Sequence, residues 1–296
     1  MTRMLRGVYV VLCTPFSRDD NVGETVLRRH IRYLVDEGNV HGIIPNGSTG
    51  EFAALSEAER KAIAEIVIDE VAGKVPVVVG TASVSTKDTV IYTQHAQEVG
   101  ADGVMIVAPY YCHPNDEEIF CHYQTIAENS DIEVVVYNNP GTSGVDMQPE
   151  LIARLADLER ISYIKESSGD MARVAEIQRL CGDKMRVFCG CDNLSLEMFM
   201  MGAVGWIVPA GNMIPQLCVE LYELAAVKHD FERARELYFK LLPLFTMLER
   251  TGQYVQLTKA GLEILGRPYG IPRRPLLPPT EEDKEQLKQI LAALPM

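Results

Sequence analysis

No run of about 18 uninterrupted apolar residues occurs in the sequence, so a membrane-spanning helix is not expected. The opening residues, Met1-Thr-Arg-Met-Leu-Arg-Gly7, lack the apolar region and cleavage site of a secretory signal. Positive charge is scarce: 28 Lys and Arg against 41 Asp and Glu leave a formal charge of -13. No basic stripe offsets the deficit. Outside helical patterns the last third offers only Arg273-Arg274, between prolines. Nucleic acid and anionic membrane surfaces are therefore poor partners. The 7 cysteines form no Cys-x-x-Cys pair, and Cys189 and Cys191, on one face of a strand-like run, have no histidine beside them. Free thiols in a reducing cytosol fit better than disulfides or a zinc site. The 6 histidines, His30, His41, His95, His113, His122 and His229, form no ligand cluster; His30 and His95 fall in helical segments, and His113 and His122 read as surface residues. A soluble cytoplasmic protein without a metal follows.

What is present is a large core in the making, with 47% apolar and 23% charged residues. The 296 residues suit two average domains or one α/β barrel. Short β-branched runs recur about every thirty residues, each followed by a turn and a helix-period segment. They cover residues 8–12, 41–44, 75–79, 104–107, 134–137, 161–165, 187–189 and 206–208. Most are continuously apolar, as strands covered on both faces must be, which implies a parallel sheet. Such βα units with right-handed crossovers close most simply into a (β/α)8 barrel of the TIM type, assigned to residues 1–212. An open doubly wound sheet would show a glycine-rich turn after its first strand, where this chain has Cys13-Thr-Pro-Phe16.

The helices carry their own punctuation. Ser56-Glu-Ala-Glu59 reads as a capping box, followed by the apolar stripe Ala62, Ile63, Ile66, Val67 and Val71. Val26, Leu27, Ile31, Leu34 and Val35 form another stripe, and Gly38, Gly73 and Gly100 stand where helices should end. Residues 213–296 carry helical periods over 215–227, 231–248 and 254–265, and Thr280 caps a last helix whose Leu287, Ile290, Leu291 and Leu294 face one way. Between them, 266–279 is broken by Pro268, Pro272, Pro275, Pro278 and Pro279. This tail is expected to pack on the barrel as extra helices, without forming a domain of its own.

Chemistry in such a barrel sits at the C-terminal ends of the strands. There the sequence concentrates small and polar residues: Pro45-Asn-Gly-Ser-Thr-Gly-Glu51, Ala108-Pro-Tyr-Tyr111, Tyr137-Asn-Asn-Pro-Gly-Thr-Ser-Gly144, Lys165-Glu-Ser-Ser-Gly169, Gly190-Cys-Asp-Asn193 and Pro209-Ala-Gly-Asn212. Lys165 follows the apolar run 161–164, an unusual place for lysine. A desolvated amine there is a nucleophile able to form a Schiff base with a carbonyl. The plainer reading is a lysine that reaches from a strand end to water. Gly47-Ser-Thr-Gly50 offers backbone amides suited to a carboxylate, and a plain turn would look the same. Tyr137, Ser48 and Tyr111 are the candidates for passing protons, or, taken singly, fillers of the barrel top.

In this order the rim motifs resemble the family of dihydrodipicolinate synthase and N-acetylneuraminate lyase, the lysine-dependent class I aldolases. The match runs over essentially the whole chain, through Gly47-Ser-Thr-Gly-Glu51, Pro109-Tyr-Tyr111, Tyr137-Asn-Asn-Pro140, Lys165-Glu-Ser-Ser168 and Gly190-Cys-Asp192. The resemblance implies a homotetramer, a dimer of dimers, in which Lys165 binds a small 2-oxo acid such as pyruvate as an imine and no other cofactor is needed. It implies that Tyr137 shuttles protons, with Ser48 and the neighbouring subunit's Tyr111 completing the relay. The amides of Ser48 and Thr49 would hold the substrate carboxylate, and Gly190 and the carbonyl of Ile207 would line the site. A protonated imine withdraws electrons, so condensation, retro-aldol cleavage and elimination are all open to it.

Departures from the family choose among these. Thr142 stands where dihydrodipicolinate synthases carry an arginine for the aldehyde partner's carboxylate, and a hydroxyl cannot replace a bidentate guanidinium. Glu57 and Arg60 replace the histidines of the lysine-feedback site. Ser167 and Asp192 match positions that touch substrate hydroxyls in sialate lyases, whereas Asn193 and Pro209 do not fit sialic acid itself. These residues favour a lyase acting on pyruvate or a hydroxylated 2-oxo-3-deoxy sugar acid by aldol cleavage or dehydration. The alternative is 4-hydroxy-tetrahydrodipicolinate synthase. Other classes are a non-catalytic 2-oxo acid sensor, which would not need the proton relay, and a metal-dependent barrel aldolase.

Overall fold

The computed structural model describes residues 3–296. Eight parallel strands follow the apolar runs: β1 (Gly7–Val11), β2 (Gly42–Ile44), β3 (Val78–Gly80), β4 (Gly103–Val107), β5 (Glu133–Asn138), β6 (Ile161–Glu166), β7 (Arg186–Cys189) and β8 (Gly205–Val208). They hydrogen-bond in the order β2-β1-β8-β7-β6-β5-β4-β3. The two ends of that series meet in a parallel bridge between Ile43 and Val77, and the Gly80 amide donates to the Pro45 carbonyl at 2.9 Å. The result is a closed (β/α)8 TIM barrel, and nearly every strand residue is buried because helices cover the outside and side chains fill the inside.

Strand β3 begins three residues later than its apolar run suggests. Pro76 has no amide hydrogen, so it accepts from Ile43 at 3.0 Å without donating in return, and the regular ladder starts only beyond it.

The helices are α1 (Glu24–Arg32), α2 (Glu57–Val71), α3 (Thr86–Glu98), α4 (Asp116–Glu128), α5 (Pro140–Ser143), α6 (Pro149–Leu155), α7 (Met171–Cys181), α8 (Ser195–Met200), α9 (Pro215–Tyr222), α10 (Phe231–Thr251), α11 (Tyr254–Ile264) and α12 (Glu281–Ala292). The Ser56–Glu59 capping box forms in both directions ahead of α2, and Thr280 caps α12. Gly73 and Gly100 take the left-handed conformation, at φ +73° and +92°. Gly38 does not. It stays right-handed, at φ -73°, and a Cβ there would lie 2.6 Å from the Leu34 carbonyl oxygen and 2.8 Å from the Pro215 side chain, so close packing demands the glycine. His122 corrects another expectation: it is buried on α4, its ring held by Thr86 at 2.9 Å.

The tail helices are tied to the first half of the barrel. Lys259 on α11 pairs with Glu51 at 2.5 Å, both side chains almost fully buried, and also donates to the Ile271 carbonyl. The other Glu51 oxygen accepts the Arg273 amide, while the Arg273 guanidinium binds Asp20 and Glu59. Tyr269 donates to the Cys13 carbonyl at 3.0 Å. These contacts fasten α11 and the segment after it to the end of the barrel where Glu51 and Cys13 lie.

Candidate active site

Lys165 is the fifth residue of β6, beside Tyr137 of β5 and Phe188 of β7 in register. Alternation along β6 puts Tyr163 on the same face two residues below, and the Tyr9, Tyr163 and Phe188 rings close the barrel beneath it. The lysine side chain therefore rises from an aromatic floor, and the residue is 5% exposed. Its Nζ lies 4.0 Å from the centroid of the Tyr137 ring, and it takes part in none of the ion pairs among the described residues.

Above it opens a cavity of about 550 Å³, lined by Ser48, Thr49, Tyr137, Thr142, Lys165, Ser167 and Gly190. Seven sequence-predicted positions thus converge on one space.

Each is held for a reason. Residues 48–50 form a 3-10 turn after Gly47, and at its start the amides of Ser48 and Thr49 find no backbone acceptor among the described residues. Their geometry is that of a small anion cradle. Asn139 donates to the Tyr137 phenol oxygen at 2.8 Å, while its own carbonyl oxygen accepts the Thr142 amide and caps α5. Since the phenol oxygen is an acceptor in that bond, its hydrogen is left to point elsewhere. Gly190 cannot be replaced by a larger residue without displacement: a Cβ would sit 1.8 Å from Ser167 Oγ and 3.0 Å from Lys165 Cγ. Ser167 Oγ is buried and has no hydrogen-bond partner among the described residues.

Three other expected positions fall elsewhere. Tyr111 is 84% exposed on the loop after β4, outside the cavity, and no hydrogen bond joins it to Tyr137 or Ser48 among the described residues. Ile207 is buried within β8 opposite Tyr9; Pro209, just past the end of β8, is the residue there that the cavity reaches. Asp192 is fully buried behind the wall. Its Oδ1 accepts the Trp206 indole N–H at 3.1 Å and its amide donates to Glu249 at 2.8 Å. Burial, with Glu249 nearby, pushes its carboxyl up to about 8.

Residues that the strand-end reading missed come from the tail. Glu249, on the last turn of α10, and Tyr254, at the start of α11, flank the left-handed Gly252 and line the same cavity. The Tyr254 phenol donates to Glu249 at 2.5 Å, and burial next to that carboxylate raises the phenol's pKa. Lys165 is the one cation and Glu249 the one anion among the residues lining the cavity. Among the described residues no three His, Cys, Asp or Glu side chains cluster as metal ligands.

Comparison with known proteins identifies relatives along the whole chain. Residues 4–294 match the dihydrodipicolinate synthetase family. A 4-hydroxy-tetrahydrodipicolinate synthase of Methanospirillum hungatei is 43% identical over 98% of this chain and 99% of its own. A putative dihydrodipicolinate synthetase from Pseudomonas aeruginosa superposes with a TM-score of 0.94 at 36% identity, covering 98% of this chain and 99% of that one. A chloride-inhibited dihydrodipicolinate synthase from Acinetobacter baumannii, solved in complex with pyruvate, gives a TM-score of 0.94 at 29% identity over 98% and 99% of the two chains.

Proposed function

Because the chain belongs to the dihydrodipicolinate synthetase family, whose members are lyases of the carbon–carbon aldolase type, we propose that it works through an imine between Lys165 and pyruvate. The observation that carries this reading is the buried amine of Lys165, set over an aromatic floor beside Tyr137 and sharing one cavity with Ser48 and Thr49. In the proposed sequence those amides hold the pyruvate carboxylate. The lysine attacks the ketone carbon and water leaves, its oxygen protonated by way of Tyr137. Loss of a methyl proton gives an enamine that adds to an aldehyde.

The name shared by the relatives supports 4-hydroxy-tetrahydrodipicolinate synthase, condensation of pyruvate with aspartate semialdehyde, over the sugar-acid lyase that the rim residues favoured. A second reading, cleavage or dehydration of a hydroxylated 2-oxo-3-deoxy acid, keeps one specific support: Thr142 faces the cavity and no arginine lines it. Incubating the protein with pyruvate and aspartate semialdehyde should yield the cyclic product. Pyruvate release from hydroxylated 2-oxo acids with no ring formation would replace the first reading by the second.

The exposed Tyr111 supports a homotetramer in which it reaches a neighbouring site, and the proposal includes a cytoplasmic location. Among the described residues no helix is long and apolar enough to cross a membrane.

A further inference from the structure

Every candidate group named for the chemistry comes from a strand end, yet the anion of the cavity comes from a tail helix. We propose that Glu249 reads the far end of the second substrate, accepting a hydrogen bond from an ammonium or hydroxyl group on the carbon chain that meets the enamine. The inference rests on the imine reading above and names the substrate chemistry it selects.

Glu249 is built for that task by its surroundings. The Asp192 amide holds Oε1 at 2.8 Å and the Tyr254 phenol holds Oε2 at 2.5 Å, so both oxygens are oriented before any ligand arrives. A carboxylate offers about four acceptor positions, and these two bonds leave the others open to the cavity it lines. Asp192 behind it cannot share the duty, because it is walled off from the cavity and its Oδ1 is committed to Trp206. No arginine lines the space, and the nitrogen of the single cation there, Lys165, is uncharged once the protonated imine has lost a methyl proton to become the enamine. A second substrate presenting only a carboxylate at this end would meet like charge. One presenting N–H or O–H donors would meet a fixed acceptor, and a site built to bond a donor rejects analogues lacking it by large factors.

Two sources share this chemistry, the ammonium of an amino aldehyde and the hydroxyls on the aldehyde-derived portion of a sugar acid, and two variants separate them. Glu249→Gln keeps the shape and one acceptor oxygen while removing the charge; Glu249→Ala removes both. Borohydride trapping of pyruvate is measured alongside kcat/KM for aspartate semialdehyde and for a hydroxylated 2-oxo acid, with thermal midpoints to show that each variant is folded. A loss of about 100-fold or more in kcat/KM for the second substrate in both variants identifies an ammonium. A loss of that size in Glu249→Ala with only a few-fold loss in Glu249→Gln identifies a hydroxyl. In either case the loss should fall on the second substrate, with pyruvate trapping within about twofold of the parent, the size of difference expected for a group remote from the imine. Undiminished kcat/KM in both variants, with pyruvate still trapped, overturns the role of Glu249 alone. If the parent itself traps no pyruvate, the imine reading fails and this inference falls with it.

Discussion

Tyr137 and Asn139 share one hydrogen bond in a way that decides where a proton can go. The amide nitrogen of Asn139 is the donor, so the phenol's own hydrogen is not used in that bond and stays available to the cavity that Tyr137 and Lys165 both line. Tyr137→Phe keeps the ring that packs 4.0 Å from the lysine Nζ and removes only the proton carrier. It should lower kcat by about 10² to 10⁴ while leaving the fold intact, checked by steady-state kinetics beside a thermal melt. Lys165, Tyr137, Ser48 and Gly190 were legible in the sequence because each follows a recognisable apolar strand run. Glu249 was not legible, since it sits on a helical turn with ordinary amphipathic spacing and reaches the rim only through the tertiary seating of α10. Asp192 shows the converse: it lies in the right motif, but the turn after β7 aims it inward to Trp206.

Among the elements, the eight strands were readable because burial on both faces leaves little choice but apolar β-branched residues. Their boundaries moved by at most one residue, except at the start of β3, where Pro76 delays the ladder. The helical tail was readable from its periods, and its anchoring was not. The pairing of Lys259 with Glu51 joins positions far apart in the chain, and nothing local marks either as buried. Burial pulls the Lys259 amine downward, opposed by Glu51, so the pair is sustained by mutual neutralisation. Lys259→Met leaves Glu51 buried with backbone and Arg273 contacts only, and should cost about 3–5 kcal/mol in denaturant unfolding. Adding Glu51→Gln should recover part of that loss. If Lys259→Met unfolds at the parent's midpoint, the pair contributes nothing to seating the tail.

For the whole molecule, acid sensitivity follows from histidines buried without charge. His30 bonds Asn212 at 3.1 Å deep between α1 and the barrel, and burial lowers its pKa from 6.5 to about 3; His122 is lowered in the same way to about 4. The unfolded chain binds these protons first, so stability is full above about pH 6.5 and falls as pH drops toward the folded-state values. Between pH 6.5 and 4.5 His30 should account for up to about 3 kcal/mol, at 1.36 kcal/mol per unit. His30→Gln should flatten the dependence of unfolding midpoint on pH over that window, and an unchanged slope would assign the acid sensitivity to other groups.

All of the proposed chemistry passes through one covalent bond. The decisive measurement is borohydride reduction during incubation with pyruvate, followed by peptide mass spectrometry. The expected result is a reduced pyruvyl adduct on the peptide containing Lys165, absent when pyruvate or borohydride is omitted. A Lys165 peptide that stays unmodified while the protein turns over its substrate would contradict the imine mechanism.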